Sequence, residues 1–375
     1  MNTILKNCLI WGTAEPVSVW VEDEKIRAVA PELTCEGAEE IDMSGKTVLP
    51  GFFNAHVHLY GVHGPLPDEL IRRFVSGGVT TVRDMGMTSP RDFREYMDWL
   101  AQRSGAEYPM VINSGKFLCG ENTYGDIHPS GVQIGYRIDM TPEGAARAVD
   151  EMISAGAQTI KTGLDYGMDK EHPLSYLPDD VFAAICRRAR ERGLPSSAHI
   201  TKPDNFVKAA GMGLTESAHV PTEELSDEDA AAAAETGMTF TATASIFDMV
   251  SAESGEQIMD AVLTNIGKLR RAGMSLAVGT DFMFENPPYQ TAGIPVHELR
   301  LLSKAGLSVD EIIRCATEES AKHCGIWELT GSIEAGKLAN IIAVSGKIDE
   351  TFSALETVDF VMNRGIIIKN NGSEV

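Results

Sequence analysis

Between Thr47 and Asp281 the chain alternates short apolar runs with amphipathic segments of helix length, and this alternation restricts its fold more than any other property. Eight runs read as strands: Val48 to His58, Thr80 to Asp84, Met110 to Lys116, Thr159 to Gly163, Ser196 to Ile200, Thr215 to Val220, Thr239 to Ala244 and Leu276 to Asp281. Helical stretches fall between them, among them Pro90 to Gln102, Thr141 to Ala155, Pro178 to Arg192, Asp227 to Thr236 and Gly255 to Ala272. Thr141-Pro142-Glu143 puts a cap, a first-turn proline and an early carboxylate in the order that starts a helix. Eight β/α units in about 280 residues predict an α/β protein of the (β/α)8 TIM-barrel type over residues 50–331. An open doubly wound sheet fits less well, and no G-x-G-x-x-G follows the first strand to support dinucleotide binding.

Both ends of the chain depart from this pattern. Thr3 to Trp11, Val17 to Val21 and Ile26 to Ala30 read as hairpin strands, with Glu22-Asp23-Glu24-Lys25 as a charged turn. After residue 331 the chain is strand-rich again, in Ala339 to Val344 and Phe360 to Lys369. Residues 1–49 and 332–375 are therefore expected to meet as one discontinuous β-sandwich beside the barrel.

Charge and composition exclude several roles. A net charge of −22 opposes binding to a phosphate backbone, an affinity that lysine and arginine supply by displacing counterions. No apolar run approaches the roughly 20 residues of a membrane span, and the first residues lack a basic leader with a cleavage site. The expectation is a cytoplasmic protein with neither nucleic acid nor membrane as partner, assembling as a homo-oligomer and acting on a small molecule. Cys8, Cys35, Cys119, Cys186, Cys315 and Cys324 contain no C-x-x-C pair, which argues against a disulfide framework or a thiolate zinc site.

In a parallel barrel the loops after the strands surround one pocket, so the polar residues at strand ends carry the functional signal. The first strand ends in His56-Val57-His58, whose i, i+2 spacing points two imidazoles to one side. The fourth holds Lys161 within an otherwise apolar run, the fifth ends in His199, the sixth in His219 and the eighth in Asp281. Singly, each has an ordinary structural role open to it, as a hydrogen-bonded core residue, a helix cap or a snorkelling lysine. Together, five strands send six such groups to one rim. Imidazole and carboxylate suit zinc, or manganese, iron, cobalt or nickel. An ammonium does not, so Lys161 would have to be neutral or modified; a neutral amine can combine with carbon dioxide to give an anionic carbamate.

At these residues the sequence resembles the amidohydrolase superfamily, in which a (β/α)8 barrel is joined to a β-sandwich. The resemblance rests on Pro50-Gly-Phe-Phe-Asn-Ala-His-Val-His58, Gly78-Val-Thr-Thr-Val-Arg-Asp84, Lys161, His199, His219, Asp281 and Gly331-Ser-Ile-Glu-Ala-Gly-Lys-Leu-Ala-Asn340. It is strongest toward the imidazolonepropionase-related branch that includes Xaa-Pro dipeptidases. The resemblance implies two divalent metal ions, with His56, His58 and Asp281 on the more buried one, His199 and His219 on the other, and carboxylated Lys161 between them. Asn340 stands where the family usually has Asp.

The implied reaction is hydrolysis of an amide C–N bond in a dipeptide or N-acyl amino acid: hydroxide shared by the metals attacks the carbonyl, and Asp281 acts as general acid and base. No G-x-S-x-G elbow offers a serine nucleophile. Lys116, Tyr124, His128, Tyr166 and Thr243 are the candidate substrate contacts, and His128, in a loop where relatives often carry Gly-Gly-His, is also a catalytic candidate through the substrate carbonyl. His63, His172, His297 and His323 have no ligand spacing and read as ordinary loop or helix residues. Alternatives are a lactonase, a cyclic-amide hydrolase or deaminase, or a non-catalytic barrel. The deaminase pattern places Glu three residues after the strand-five histidine, where this chain has Lys202.

Overall fold

In the computed structural model, which describes residues 2–89, 91–167 and 173–375, the eight parallel strands lie in two arcs. β1 (Phe52–Val57), β2 (Val79–Asp84) and β3 (Met110–Asn113) form one arc. β4 (Ile160–Gly163), β5 (Ser196–His199), β6 (Glu216–Ser217), β7 (Thr239–Thr241) and β8 (Leu276–Ala277) form the other. Backbone hydrogen bonds join β8 to β1: Ala55 N–H donates to Val278 O at 2.7 Å, Phe282 N–H to His56 O at 3.2 Å, and His58 N–H to Phe282 O at 2.7 Å. Across the other gap, Gln158 N–H donates to Asn113 O at 2.8 Å. The Thr162 hydroxyl donates to Leu118 O at 2.8 Å.

The connections are α1 (Asp68–Ser76), α2 (Phe93–Ala101), α3 (Pro142–Ser154), α4 (Asp179–Glu191), α5 (Pro203–Gly211), α6 (Asp227–Glu235), α7 (Ala244–Ser254), α8 (Met259–Arg271) and α9 (Val296–Lys304). Their starts follow from side-chain chemistry. Asp92, Thr141 and Ser226 accept the orphan backbone N–H groups of α2, α3 and α6. In α3, Ala145, Ala148, Val149 and Met152 recur at helical spacing and are buried, so one face enters the core while the charged face stays in water.

Several boundaries differ from the sequence reading, each for a local reason. The first strand is two: Lys46–Pro50 pairs antiparallel with Ile341–Ser345, and β1 begins after Gly51. The chain passes so close to β2 there that a Cβ on Gly51 would lie 2.2 Å from Thr80 Oγ1. The expected strand to Ala244 stops at Thr241, because Thr243 is left-handed (φ 48°) and α7 begins behind it. Gly255 (φ 77°) then ends α7, so the expected helix from 255 starts at Met259. The helix expected from Pro90, a residue outside those described, starts at Phe93 behind its Asp92 cap. Phe360 to Lys369 is broken into Phe360–Asn363 and Ile366–Asn370 by Arg364 and Gly365, both at positive φ.

The two ends of the chain share one nine-stranded sheet. Asn2–Ile10 pairs antiparallel with Val17–Glu22 and parallel with both Glu39–Asp42 and Lys46–Pro50, and the last of these joins it to Ile341–Ser345. Leu5, Val19, Val21, Val48, Ile341 and Phe360 form a separate apolar cluster on it.

The β8–β1 seam makes a prediction. A methyl on Gly279 would meet Thr241 Cγ2 at 2.6 Å and both Cβ and the backbone N of His56 at 2.8 Å. Gly279→Ala is expected to lose about 2 kcal/mol in urea unfolding, the cost of overpacking against backbone that cannot retreat. A loss below about 0.5 kcal/mol, the range of neutral surface changes, would show that the seam yields freely.

Candidate metal centre

A buried polar layer sits beneath the strand ends. Arg83 of β2 donates to Glu216 of β6 at 2.6 Å, to Thr241 Oγ1 at 3.1 Å and to Ala55 O at 2.9 Å. Ser197 and His323 also bond Glu216, at 2.9 and 2.8 Å. Burial raises the Glu216 carboxyl, but Arg83 and His323 outweigh it and bring it down to about 2. His323 is therefore no ordinary helix residue; it completes this network and also reaches Ser275 Oγ at 3.0 Å. The network ties β2, β5, β6 and β7 together beneath the strand ends.

Those groups converge. Nε2 of His56 and of His58 lie 3.2 and 3.0 Å from Asp281 Oδ1. Ligand atoms of His56, His219 and Asp281 all lie within 4.8 Å of one another. The imidazole rings form a chain, with centroids 5.4 Å apart for His58 and His56, 4.8 Å for His56 and His219, and 4.5 Å for His219 and His199. Lys161 is buried beside them, and its charge acts on His56, His199 and His219. Thus all six strand-end residues share one neighbourhood.

Each partner outside the cluster sets an orientation. His56 Nδ1 faces Ala218 O at 3.2 Å, His58 Nδ1 faces Gly86 O at 2.9 Å, and His219 Nδ1 lies 2.8 Å from Thr243 Oγ1. A carbonyl can only accept, so the Nδ1 atoms of His56 and His58 carry protons and their Nε2 atoms turn inward. Asn54 locks the carboxylate's strand: its amide donates to Thr280 Oγ1 at 2.8 Å and its oxygen accepts Thr280 N–H at 3.1 Å. Asp281 itself is left-handed, with φ 55°.

At His56, His199, His219 and Lys161 burial disfavours the protonated form, and His58 is the exception. Burial drives His56 and His219 well below the ordinary imidazole value, Lys161 adding to it at His56 and His199 at His219. Burial likewise lowers His199 to about 4 and Lys161 to about 7. Burial would also lower His58, but the Asp281 carboxylate, with Asp84, outweighs it and raises this group. Asp281 is raised by burial yet held well below the usual carboxylate range by the imidazoles of His56, His58 and His219.

Divalent ions fit this donor set. Asp281 Oδ1 and Lys161 Nζ are buried without an aligned hydrogen-bond partner among the described residues. An inward Nε2 lone pair of His56 facing a carboxylate lone pair at 3.2 Å is repulsive unless a cation lies between them. Ligands on one zinc-sized ion, with bonds of about 2.1 Å, sit roughly 3 to 3.5 Å apart, which matches both Asp281 contacts.

The substrate candidates divide. Tyr124 reaches the cluster, its ring stacked on His199 at 3.8 Å and 13°. Thr243 bonds His219 rather than facing open space. Tyr166 lies edge-on to Tyr176 at 6.3 Å, with Lys202 Nζ 5.2 Å from its ring. His128 is not brought in: it is a partly exposed turn residue whose Nδ1 bonds Ser130 Oγ at 2.8 Å. Lys116 is half-buried, and the groups acting on it are Asp92 and Cys119. It is Phe117 that approaches Gly86 and Gly163 beside Lys161. Asp165 escaped the sequence reading; it accepts Thr201 N–H and Oγ1 at 2.8 and 2.6 Å and stands 4.0 Å from His199 Nε2. Its position just past a strand end was the available signal. His172 lies outside the described residues.

Parallel β/α units that bring four imidazoles, a lysine and a carboxylate to one set of strand ends define an α/β protein with a strand-end histidine–carboxylate centre. The chain belongs to the amidohydrolase family, whose model matches residues 47–369. A Bacillus cereus dihydroorotase is 36% identical over 110 residues, a match spanning 28% of this chain and 26% of that protein. A Xaa-Pro dipeptidase structure with bound methionine superposes with a TM-score of 0.83 at 21% identity, covering 99% of this chain and 100% of that one. An ochratoxinase from A. niger does so with a TM-score of 0.80 at 20% identity, covering 99% and 96%. At these identities the structural likeness establishes the common fold.

The Asp281 contacts make a pH prediction for metal-free protein. Removing the carboxylate in Asp281→Asn leaves burial as the dominant influence on His58, so its titration should move from above the ordinary imidazole value to below it. Histidine ¹⁵N resonances followed against pH check this, and a His58 titration unchanged by the substitution would contradict the assignment.

Proposed function

We propose that this chain is a binuclear metal-dependent hydrolase that cleaves an amide C–N bond in a small substrate such as a dipeptide or N-acyl amino acid. The observation that carries this reading is the convergence of inward imidazole nitrogens on a carboxylate oxygen of Asp281 that is shielded from solvent and has no aligned hydrogen-bond partner among the described residues. Family membership and the likeness to a dipeptidase and an ochratoxinase add support. In this reading residues 50–331 close as a (β/α)8 barrel, and residues 1–49 with 332–375 form its companion β-sandwich.

His56, His58 and Asp281 would hold one ion and His199 and His219 a second, with zinc the first candidate. Lys161, lowered by burial to about 7, has an amine able to add to carbon dioxide with loss of one proton, and the carbamate so formed would offer oxygen ligands to the ions. Bound divalent ions supply acidity to a water and polarise the substrate carbonyl. Asp281, kept ionised by its imidazole neighbours, takes the proton of the attacking water and passes it to the departing amine. Tyr124 is pushed up by burial, so its phenol keeps its proton and can donate to the substrate from its place over His199. In this reading Tyr124, stacked on His199, would face the substrate.

A hydrolysis screen over dipeptides, N-acyl amino acids and small lactones tests the reaction class. Amide turnover is expected; turnover of lactones alone would move the assignment to a lactonase, and no turnover at all would contradict the proposal. Lys161→Ala should lose at least about 100-fold in kcat/KM and regain part of it with a short-chain carboxylic acid and bicarbonate. Full activity in the untreated variant would remove Lys161 from the centre.

A further inference from the structure

β7 supplies no ligand in the proposed centre, yet the most constrained backbone of the site lies at its end. Thr243 has φ 48°, a region that a β-branched residue occupies only when its surroundings force it there. The forcing comes from both sides. On one side Thr243 Oγ1 lies 2.8 Å from His219 Nδ1. On the other, Ala244 and Ser245, the first residues of α7, donate their backbone N–H groups to Glu298 Oε1 and Oε2 at 2.9 and 2.6 Å. Glu298 belongs to α9 and is wholly buried. Its neighbour His297 joins the same two helices, with Nε2 2.7 Å from Asp248 Oδ2.

A helix start is normally capped by a short side chain just before it. Here that place is taken by Thr243, whose side chain makes no cap bond, and the two orphan donors are met from another helix 53 and 54 residues away. The arrangement frees the Thr243 hydroxyl for His219. We infer that Glu298 is a positioning residue for the metal centre: by pinning the first turn of α7 it keeps Thr243 left-handed, and Thr243 in turn holds His219 with Nδ1 protonated and Nε2 available to a cation. This rests on the metal-centre reading above. A hydrogen-bond partner of this kind typically alters metal affinity by about 10- to 100-fold.

A double-mutant cycle on Glu298→Gln and Thr243→Ala separates this role from plain helix capping. Glutamine keeps one acceptor and turns the other into a donor facing a donor. Zinc dissociation constants are measured by competition with a chromophoric chelator, and His219 ¹⁵N shifts are measured in metal-free protein. Each single variant should weaken zinc about tenfold or more, the double variant should be no weaker than Thr243→Ala, and both should move the His219 Nδ1 signal away from its protonated value. Equal effects of Glu298→Gln in the two backgrounds, or unmoved His219 signals, would overturn the inference. Glu298→Asp, which keeps both oxygens at shorter reach, replaces the glutamine variant in the cycle if that one does not fold. Wild-type protein that takes up no zinc would refute the metal-centre reading and the inference with it, whereas zinc-binding wild type with an additive cycle refutes the inference alone.

Discussion

Much of this structure depends on one unresolved electrostatic contact, the approach of two imidazole Nε2 atoms to a single oxygen of Asp281. Carbonyls claim the Nδ1 protons of His56 and His58, and burial disfavours a second proton on His56. The carboxylate is thus surrounded by groups that cannot all donate to it. A protein interior tolerates such an arrangement only when a compensating charge belongs there. The buried amine of Lys161 sharpens the demand: as an ammonium it opposes a metal, and as a carbamate it joins one.

The scaffold keeps these groups from relaxing apart. β1, β8 and the residues just after them, which include His56, His58 and Asp281, are held by backbone bonds across their seam and by the paired Asn54 and Thr280 bonds. One layer down, Arg83, Glu216, Ser197, Thr241 and His323 form a charged network that fixes β2, β5, β6 and β7 relative to one another. Its charges are paired inside the protein, where a lone partner would be costly to leave. Rigidity in the lower layer is what lets the upper one stay electrostatically unsatisfied.

The parts of this that were readable in the sequence are those governed by period and position. His56, His58, Lys161, His199, His219 and Asp281 each interrupt or end an apolar run, and strand parity sends them to one side. The unread parts depend on contacts between distant segments. Nothing near Asn54 announces Thr280, 226 residues on, and nothing near Ala244 announces Glu298. The loop after β3 shows the same limit: it offered both Tyr124 and His128, and the turn that bonds His128 to Ser130 leaves Tyr124 as the one that stacks on His199. Strand ends also misled where one glycine lets a run serve two sheets, as Gly51 does between Lys46–Pro50 and β1.

The most direct test of the central claim is the metal content of the purified, folded protein after growth with zinc or manganese, measured by elemental analysis against protein concentration. The account predicts two ions per chain. A value near one would contradict the two-ion centre, and a value near zero in protein that remains folded would contradict the reading of the Asp281 contacts as a place for a cation.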